Sequence, residues 1–193
     1  RDRRILSIII FLLVVFSISA EEWVYVDSGV TNQLNAIACP TQSTCYAVGG
    51  APFIGGPGII IKTTNGTAWT TQSIPATNFL RAIDCIDSIT CYATGDEVIL
   101  KTVDGTTWSI ANQSSGIFWD IDALSDSTVI AVGNLGATLR TTNGGLTWPG
   151  YLPRAFDSSR ASFHALYFMN STTGWRGDDT GLLQVSNNAG LSW

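Results

Sequence analysis

The sequence contains few charged residues and a single histidine, and these absences exclude several kinds of site. Charged residues make up 13% of the 193 residues, whereas 45% are hydrophobic and 19 are glycine. This composition is typical of an all-β globular protein and not of a disordered chain. His164 is the only histidine, and the sequence has no Gly-x-Ser-x-Gly elbow that would place a serine nucleophile for a Ser-His-Asp triad. Motifs for a bound metal or nucleotide are also lacking, so we expect no cofactor.

Sustained helical periodicity is absent beyond the first twenty residues, which form a segment of their own. A basic start, Arg1 to Arg4, precedes an almost unbroken apolar run from 5 to 18, and small residues up to Ala20 follow. The run is too short to span a bilayer comfortably, and the pattern is typical of a secretory signal peptide cleaved after Ala20. An uncleaved N-terminal anchor is the alternative. We therefore predict a signal peptide over 1–20, one secreted domain over 21–193 and no membrane insertion after cleavage.

The balance of charge is acidic once the predicted signal peptide is removed. Residues 1–20 contain three of the 10 basic residues and one of the 15 acidic residues, which leaves 7 basic and 14 acidic residues. A lightly charged, acidic surface argues against binding to nucleic acid or to anionic membranes. Proteins and glycans remain as classes of partner.

A short box that ends in tryptophan occurs four times and organises the predicted domain. The copies lie at 63–69, 102–108, 141–148 and 186–193, and each runs hydroxyl residue, any residue, Asn or Asp, a glycine and then Trp. The four tryptophans are 39, 40 and 45 residues apart, which indicates a repeat architecture. Asn and Asp bond to their own backbone in turns, and glycine accepts positive φ. Each box is therefore predicted to be a hairpin turn whose Trp opens the outgoing strand.

A second predicted hairpin lies inside each repeat, so that every repeat carries four strands. Trp23 opens the first unit, because it lies 16 residues before Cys39, as Trp69 lies 16 residues before Cys85. The predicted repeats are 23–68, 69–107, 108–147 and 148–192. Four strands in a unit of about 40 residues are typical of a β-propeller blade. The predicted fold is an all-β propeller with four four-stranded blades.

The cysteines flank the turn of the inner hairpin in the first two repeats. Cys39 and Cys45 enclose five residues, and Cys85 and Cys91 do the same one repeat later. In the third and fourth repeats both positions of the pair are replaced together. Joint replacement favours two cross-strand disulfides, in keeping with an exported protein. A four-cysteine zinc site is the alternative, although this spacing suits zinc poorly.

Three glycosylation sequons occur, at Asn65, Asn112 and Asn170. They matter only in a eukaryotic source. Asn65 lies in a box, where we expect its side chain to be engaged in the turn.

One position of the repeat changes its chemistry while its neighbours stay apolar. Alignment of the repeats places Asn35, Arg81, Trp119 and His164 at equivalent positions, four residues before the first cysteine position. A position that varies in this way on successive blades is suited to recognise a partner from one face of a propeller. We therefore predict a binding surface that includes these four residues. The alternative is a rim position that varies freely.

The boxes resemble the BNR or Asp-box repeat, of which 141–148 is the fullest copy. The segment 174–193 is similar to the repeats of photosystem II stability/assembly factor-like proteins, and the resemblance covers nearly all of 23–193. It implies a propeller in which the box is a structural turn at the blade periphery. Because members of that group usually close with about seven blades, the resemblance also implies further blades beyond Trp193. The function that it implies is an exported, non-enzymatic scaffold for protein interaction or assembly.

The enzyme alternative is a sialidase- or xyloglucanase-like glycoside hydrolase, and a glycan-binding module is a related possibility. A sialidase needs three arginines around one carboxylate, and five are candidates: Arg81, Arg140, Arg154, Arg160 and Arg176. The Arg-Ile-Pro signature of sialidases is absent. Paired carboxylates for glycoside hydrolysis could come from Asp84, Asp120, Asp122, Asp178 and Asp179. Catalytic residues are accordingly not assigned, and we predict that the protein is not an enzyme.

Overall fold

A computed structural model describes residues 24–51, 56–151 and 161–193, and it consists of antiparallel strands. The strands are β1 Gln33–Ala38, β2 Cys45–Gly50, β3 Gly58–Thr63, β4 Trp69–Thr71, β5 Leu80–Cys85, β6 Cys91–Thr102, β7 Trp108–Ala123, β8 Val129–Gly133, β9 Thr138–Thr141, β10 Gly150–Tyr151, β11 Phe163–Phe168, β12 Gly174–Asp178 and β13 Leu183–Ser186. A 3-10 turn, Asn134–Gly136, separates β8 from β9. None of the helical structure in the described ranges is long and apolar enough to cross a membrane. The predicted signal peptide, Trp23, Arg154 and Arg160 lie outside the described residues.

The strands pair into four successive blades, as predicted. The first blade is the sheet β1-β2-β3-β4, and the fourth is β11-β12-β13. Between them lies a continuous sheet from β5 to β10, because β6 and β7 each serve twice. Residues 91–95 of β6 pair with β5 and residues 98–102 pair with β7, with a reversal at Glu97, whose φ is 64°. Residues 108–113 of β7 pair with β6, and residues 118–123 pair with β8. The second and third blades are thus four-stranded.

The hydrophobic core lies between blades. Each blade has a front face toward the preceding blade and a back face toward the next one. Three clusters of buried side chains correspond to the three successive blade pairs. Ile60 of the first blade and Ile83 of the second belong to one cluster, and Ile99 of the second and Ile121 of the third belong to another. Because a blade cannot bury its apolar faces alone, stacking on its neighbours stabilises it.

The boxes form the hairpin turns that their sequence predicts. The hydroxyls of Thr63, Thr102, Thr141 and Ser186 are 0–1% exposed, and each donates to the side-chain oxygen of the Asn or Asp two residues later. That oxygen also accepts backbone N–H groups of the turn; Asp104 Oδ1, for example, accepts from Thr106 and Thr107 at 2.8 and 2.6 Å. The next residue has positive φ, as Gly66 does at 76°. In the fourth box this residue is Ala189, with φ 56°.

A basic side chain precedes three of the boxes and contacts the box of the next blade. Lys62 Nζ donates to the Gly105 carbonyl at 2.8 Å, Lys101 Nζ to Gly144 at 2.7 Å and Arg140 Nε to Ala189 at 2.7 Å. We call Lys62, Lys101 and Arg140 the inter-blade cations. They fix the box of each blade on its predecessor. The fourth blade has Val185 at the equivalent position, immediately before Ser186.

Both predicted disulfides are formed, Cys39–Cys45 and Cys85–Cys91. No cysteine is free, so the zinc alternative is wrong. Each bond joins the end of the first strand of its blade to the start of the second strand.

Candidate binding surface

The four residues predicted to bind a partner occupy a β-bulge in the first strand of each blade. The register of β1 shifts between Leu34 and Ala36, and equivalent shifts occur around Arg81, Trp119 and His164. A bulge leaves one residue outside the ladder and redirects its side chain, which is why bulges are common beside functional sites. We call these four residues the bulge row: Asn35, Arg81, Trp119 and His164.

Glycine lies opposite the bulge, on the second strand, in the first three blades, whereas Asp178 takes this position in the fourth. A Cβ atom at Gly49, Gly95 or Gly133 would lie 1.8–2.1 Å from the carbonyl oxygen of Gln33, Phe79 or Ile117, which lies in or just before the first strand. The close approach therefore requires glycine. In the sequence, these glycines recur at the end of each predicted second strand, but the sequence alone does not reveal the bulge.

The bulge row is continuous from the second blade to the fourth. The Arg81 guanidinium lies 4.0 Å from the centroid of the Trp119 ring, and that ring lies 4.7 Å from His164 at an interplanar angle of 36°. Such contacts are favourable because the face of an indole is electron-rich. Phe79 lies 5.2 Å from the same guanidinium. Three side chains of unlike chemistry, from three blades, thus form one stack.

Asn35 extends the row to the first blade through the backbone. Its Nδ2 donates to the carbonyl of Leu80 at 2.6 Å, and its Oδ1 accepts from Gln33 at 2.9 Å. Leu80 immediately precedes Arg81. Asn35 therefore positions the strand that carries Arg81 rather than joining the aromatic stack.

Carboxylates flank both ends of the stack. Arg81 Nε bonds to Asp96 Oδ1 at 2.7 Å, and these side chains are 20% and 13% exposed. His164 Nε2 lies 4.0 Å from Asp179 Oδ2, and both of these side chains are almost half exposed. The Nε1 atom of Trp119 is buried without a hydrogen-bond partner among the described residues. The accessible part of the stack is therefore its His164 end, while Arg81 is held in place.

A second row, of carboxylates, joins the first strands of neighbouring blades. Asp84 accepts the N–H of Ala123 at 2.8 Å, Asp120 that of Leu166 at 2.7 Å, and Asp122 that of Phe168 at 2.6 Å. Burial raises the pKa of all three carboxyl groups, to about 6 for Asp120 and Asp122, and the charge of Asp84 adds to this rise. The N–H bonds oppose the rise. Each carboxylate thus satisfies an edge N–H of the following blade.

The other residues considered for catalysis have separate contacts. Asp178 accepts from Thr180 and Leu182, and a bond from the Thr180 hydroxyl is the main reason that its pKa is lowered. Asp179 accepts the N–H of Ser162 at 3.0 Å. Arg176 donates to Gln184 and Thr138, both at 2.8 Å. Arg81, Arg140 and Arg176 thus each bond to different groups. Arg140 and Arg176 both line a cavity of about 770 Å³ between the third and fourth blades.

The three sequons differ in their surroundings. Asn65 is exposed, but its Oδ1 accepts bonds from Thr67 and Ala68 in the box. Asn112 has a buried Oδ1 atom. Asn170 lies in an exposed turn, where its Oδ1 accepts from Thr172 and Thr173. Glycosylation at these sites stays a prediction.

Searches of known proteins relate this chain to others by fold. No protein-family model matches the sequence, and no curated protein sequence matches it. Among solved structures, the chain is similar to YCF48 bound to a D1 peptide, with 13% identity, a TM-score of 0.54, and coverage of 84% of this chain and 82% of that one. It is also similar to YCF48 from Cyanidioschyzon merolae, with 16% identity and a TM-score of 0.61, over 84% of this chain and 52% of that chain.

The class of protein follows from the blades and from these likenesses: the chain has a β-propeller fold. Two of the solved structures to which the chain is similar are structures of YCF48. At 13% and 16% identity, this similarity shows the fold alone.

Proposed function

We propose that this chain is an exported, non-enzymatic β-propeller that binds a protein partner through its bulge row. The observation that carries the proposal is the stack of Arg81, Trp119 and His164. These three residues differ in type between repeats, and they contact one another across three blades. Residues that merely vary freely at the rim would not be expected to form such a stack. A mixed aromatic and cationic surface with an exposed histidine end suits a peptide or a protein loop.

Two further observations support this function. YCF48, which has a similar fold, has been solved with a D1 peptide bound. The two disulfides are typical of proteins in an oxidising compartment, which supports export. The finer proposal is a photosystem II assembly-factor-like scaffold built of BNR-type repeats. It rests on the resemblance of the boxes and on the fold.

Peptide selection would test the binding surface. The chain would be screened against a displayed library of random peptides and, separately, against the D1 peptide with YCF48 as the positive control. We expect selected peptides to lose at least tenfold in affinity, measured by fluorescence anisotropy, for the triple variant Arg81→Ala, Trp119→Ala, His164→Ala. Leu146→Ala is the control, because Leu146 is 83% exposed and lies in a box rather than in the bulge row.

The outcome of this test separates binding at the row from binding elsewhere. If the triple variant binds the selected peptides as well as the unchanged chain does, the bulge row is not the binding surface. Circular dichroism of the triple variant is needed beside the affinities, since Trp119 and Arg81 are partly buried.

The glycoside hydrolase remains as a second candidate because of one observation. Asp120 and Asp122 have pKa values raised to about 6, which is the range of a general acid. Their oxygens, however, already accept backbone N–H groups of the next blade. A panel of fluorogenic glycosides with Asp120→Asn as the control would decide: turnover that disappears in Asp120→Asn would replace the scaffold proposal with the enzyme.

A further inference from the structure

The contact between the third and fourth blades is polar at three positions that are apolar in the other two blade contacts. The polar residues are Arg176 and Gln184 of the fourth blade and Thr138 of the third. Their equivalents in the other contacts are 0–1% exposed: Ala93 and Ala131 for Arg176, Leu100 and Leu139 for Gln184, and Ile60 and Ile99 for Thr138. The strand register gives the equivalence, because Arg176 pairs with Gln184 as Ala131 pairs with Leu139. A charged side chain thus lies where the other contacts have their apolar core.

The three polar residues bond to one another across the two blades. Arg176 Nε donates to Gln184 Oε1 and Arg176 Nη1 donates to Thr138 Oγ1, both at 2.8 Å. The guanidinium also lies 3.9 Å from the centroid of the Phe163 ring and 4.6 Å from that of the Trp193 ring. Stacking on aromatic rings and two directed bonds hold the plane of the guanidinium in one orientation. The three replacements therefore form one polar group.

The Arg176 guanidinium retains donors for a further acceptor. It has five N–H groups, and the two bonds above use one each. In the described parts of the chain, neither ion pair involves Arg176. Burial lowers its pKa to about 10, and the charge of Asp178 opposes this change only in part. A partly buried guanidinium that has free donors and no bonded carboxylate favours an anionic ligand.

Arg176 lies on the wall of the cavity of about 770 Å³ between the third and fourth blades. Sites for small molecules have volumes of about 300–1,000 Å³. The apolar part of the wall includes Pro149, Phe163, Leu182, Leu191 and Trp193. The charged residues among the described lining are Arg140, Arg176 and Asp178, which leave one net positive charge. The cavity therefore matches a ligand that carries one negative charge on an apolar body.

We propose that this cavity binds a small monocarboxylic acid. Its carboxylate accepts hydrogen bonds from the free N–H groups of Arg176, because the planar guanidinium fork matches a carboxylate. The apolar body of the acid lies against the apolar wall. Inorganic phosphate suits the site less well, since it has no apolar body. None of the four bulge-row residues lines the cavity, so failure of this proposal would leave the proposed peptide-binding function unaffected.

A comparison of acids with their neutral amides on the full, unchanged chain tests the proposal without any substitution. The probes are benzoate and 2-naphthoate, with benzamide and 2-naphthamide as neutral counterparts, and affinity is measured by isothermal titration calorimetry at neutral pH. We expect both acids to bind saturably, with 2-naphthoate tighter because its larger body covers more of the apolar wall. Each amide should bind at least tenfold more weakly, because it lacks the charge that strengthens the hydrogen bonds.

Substitution of Arg176 locates the bound acid. Arg176→Gln keeps a polar side chain beside Thr138 but removes the charge, and 2-naphthoate should bind at least tenfold more weakly. Arg176→Ala, which introduces the residue found at this position in the other three blades, should lose affinity to at least the same extent. Lys62→Gln is the matched control, because it removes one positive charge from the contact between the first and second blades. Thermal unfolding shows that each variant is folded.

Three outcomes would overturn the proposal. Absence of saturable binding by either acid would show that the cavity does not accept a carboxylate. Equal affinities for an acid and its amide would mean that the cavity selects apolar bodies without regard to charge. Unchanged affinity in Arg176→Gln, with a loss in Arg81→Gln, would place the acid on the bulge row instead.

Discussion

Ala189 is a residue under local strain in an otherwise glycine position. The boxes at Gly66, Gly105 and Gly144 use glycine with φ of 66–76°, whereas Ala189 adopts φ 56° with a Cβ atom. The left-handed region costs a non-glycine residue about 1–2 kcal/mol. Replacing that residue by glycine removes the strain, but part of the gain is lost because glycine makes the unfolded chain more flexible. We expect Ala189→Gly to raise the free energy of unfolding by about 0.5–1 kcal/mol, measured by urea denaturation.

The reciprocal change in the third box is the control. Gly144 has φ 66°, and a Cβ atom there would lie 3.0 Å from the carbonyl oxygen of Asp126. Gly144→Ala should therefore destabilise the protein by more than about 1 kcal/mol. If both substitutions change stability in the same direction, the strain at Ala189 is not relieved by glycine.

Asp122 makes stability depend on pH. Its pKa of about 6 in the folded protein lies above the value near 4 of an unfolded carboxyl. The folded state therefore holds a proton that the unfolded state has lost between about pH 4 and 6, and stability falls as pH rises through this window. Asn keeps the acceptor for the Phe168 N–H but has no proton to lose. Relative to the unchanged protein, Asp122→Asn should gain on the order of 1–2 kcal/mol between pH 4 and pH 7.

The box at Asp104 supplies a control of opposite sign. Hydrogen bonds from the backbone of Thr107 and Thr106 hold the pKa of Asp104 well below its usual range. Its contribution to stability is present above the unfolded pKa and is lost as pH falls below it. Asn stands at this position in the other three boxes. The loss of stability caused by Asp104→Asn should therefore be smallest at low pH. Parallel pH profiles for Asp122→Asn and the unchanged protein would contradict the assignment of Asp122.

Among the elements, the disulfide-closed hairpin of the second blade can be compared with the equivalent hairpin of the third blade, which has no disulfide. The third blade has Ala123 and Val129 where the second has Cys85 and Cys91, and Ala123 pairs with Val129 in register. The double variant Cys85→Ala, Cys91→Val gives the second blade the third blade's pair. Opening so small a loop should cost about 2 kcal/mol. Urea denaturation with and without reductant would measure it, and the difference between the two proteins should shrink once reductant opens the remaining bonds.

The sequence predicts the strands and turns well because the same residue pattern recurs in each repeat. The box hydroxyl and its Asn or Asp recur two residues apart, and Trp follows the hydroxyl by six or seven residues, so the hairpins can be predicted from spacing. The joint replacement of both cysteines in the later repeats predicts the Cys85–Cys91 bond. The equivalence of Arg81, Trp119 and His164 is also visible in the repeats. Their mutual contact is not, because it depends on a bulge that turns each side chain along the row.

Two further features are visible in the sequence, but their role becomes clear only from their contacts with the neighbouring blade. A basic residue precedes the hydroxyl of three boxes, yet its acceptor lies about 43–49 residues away in the next box. Asp84 and Asp122 share one repeat position, and each bonds an N–H of the following blade. Periodicity within one repeat gives no information about such contacts. They depend on how blades stack, which no single segment encodes.

At the scale of the whole molecule, stability should decrease from the middle blades to the fourth. In stacked repeats, each unit is stabilised by its neighbours, and a unit with one neighbour opens first. Leu183, Gln184 and Val185 of β13 are exposed or half-buried. The equivalent strands are better covered, because β3 buries Ile60 and Ile61 and β9 buries Leu139. Amide hydrogen exchange should be faster in β13 than in β9.

Substitution of the inter-blade cation Arg140 tests how strongly the stability of the fourth blade depends on its contact with the third. Its bond to the Ala189 carbonyl joins the fourth blade to the third. Arg140→Met keeps an apolar stem but leaves that carbonyl without its donor, at a cost of about 1–3 kcal/mol. Exchange should then rise in β12 and β13 and stay unchanged in β2 and β3, because nearest-neighbour coupling confines the loss to one end. An equal rise in all four blades would instead mean that the array opens as one cooperative unit.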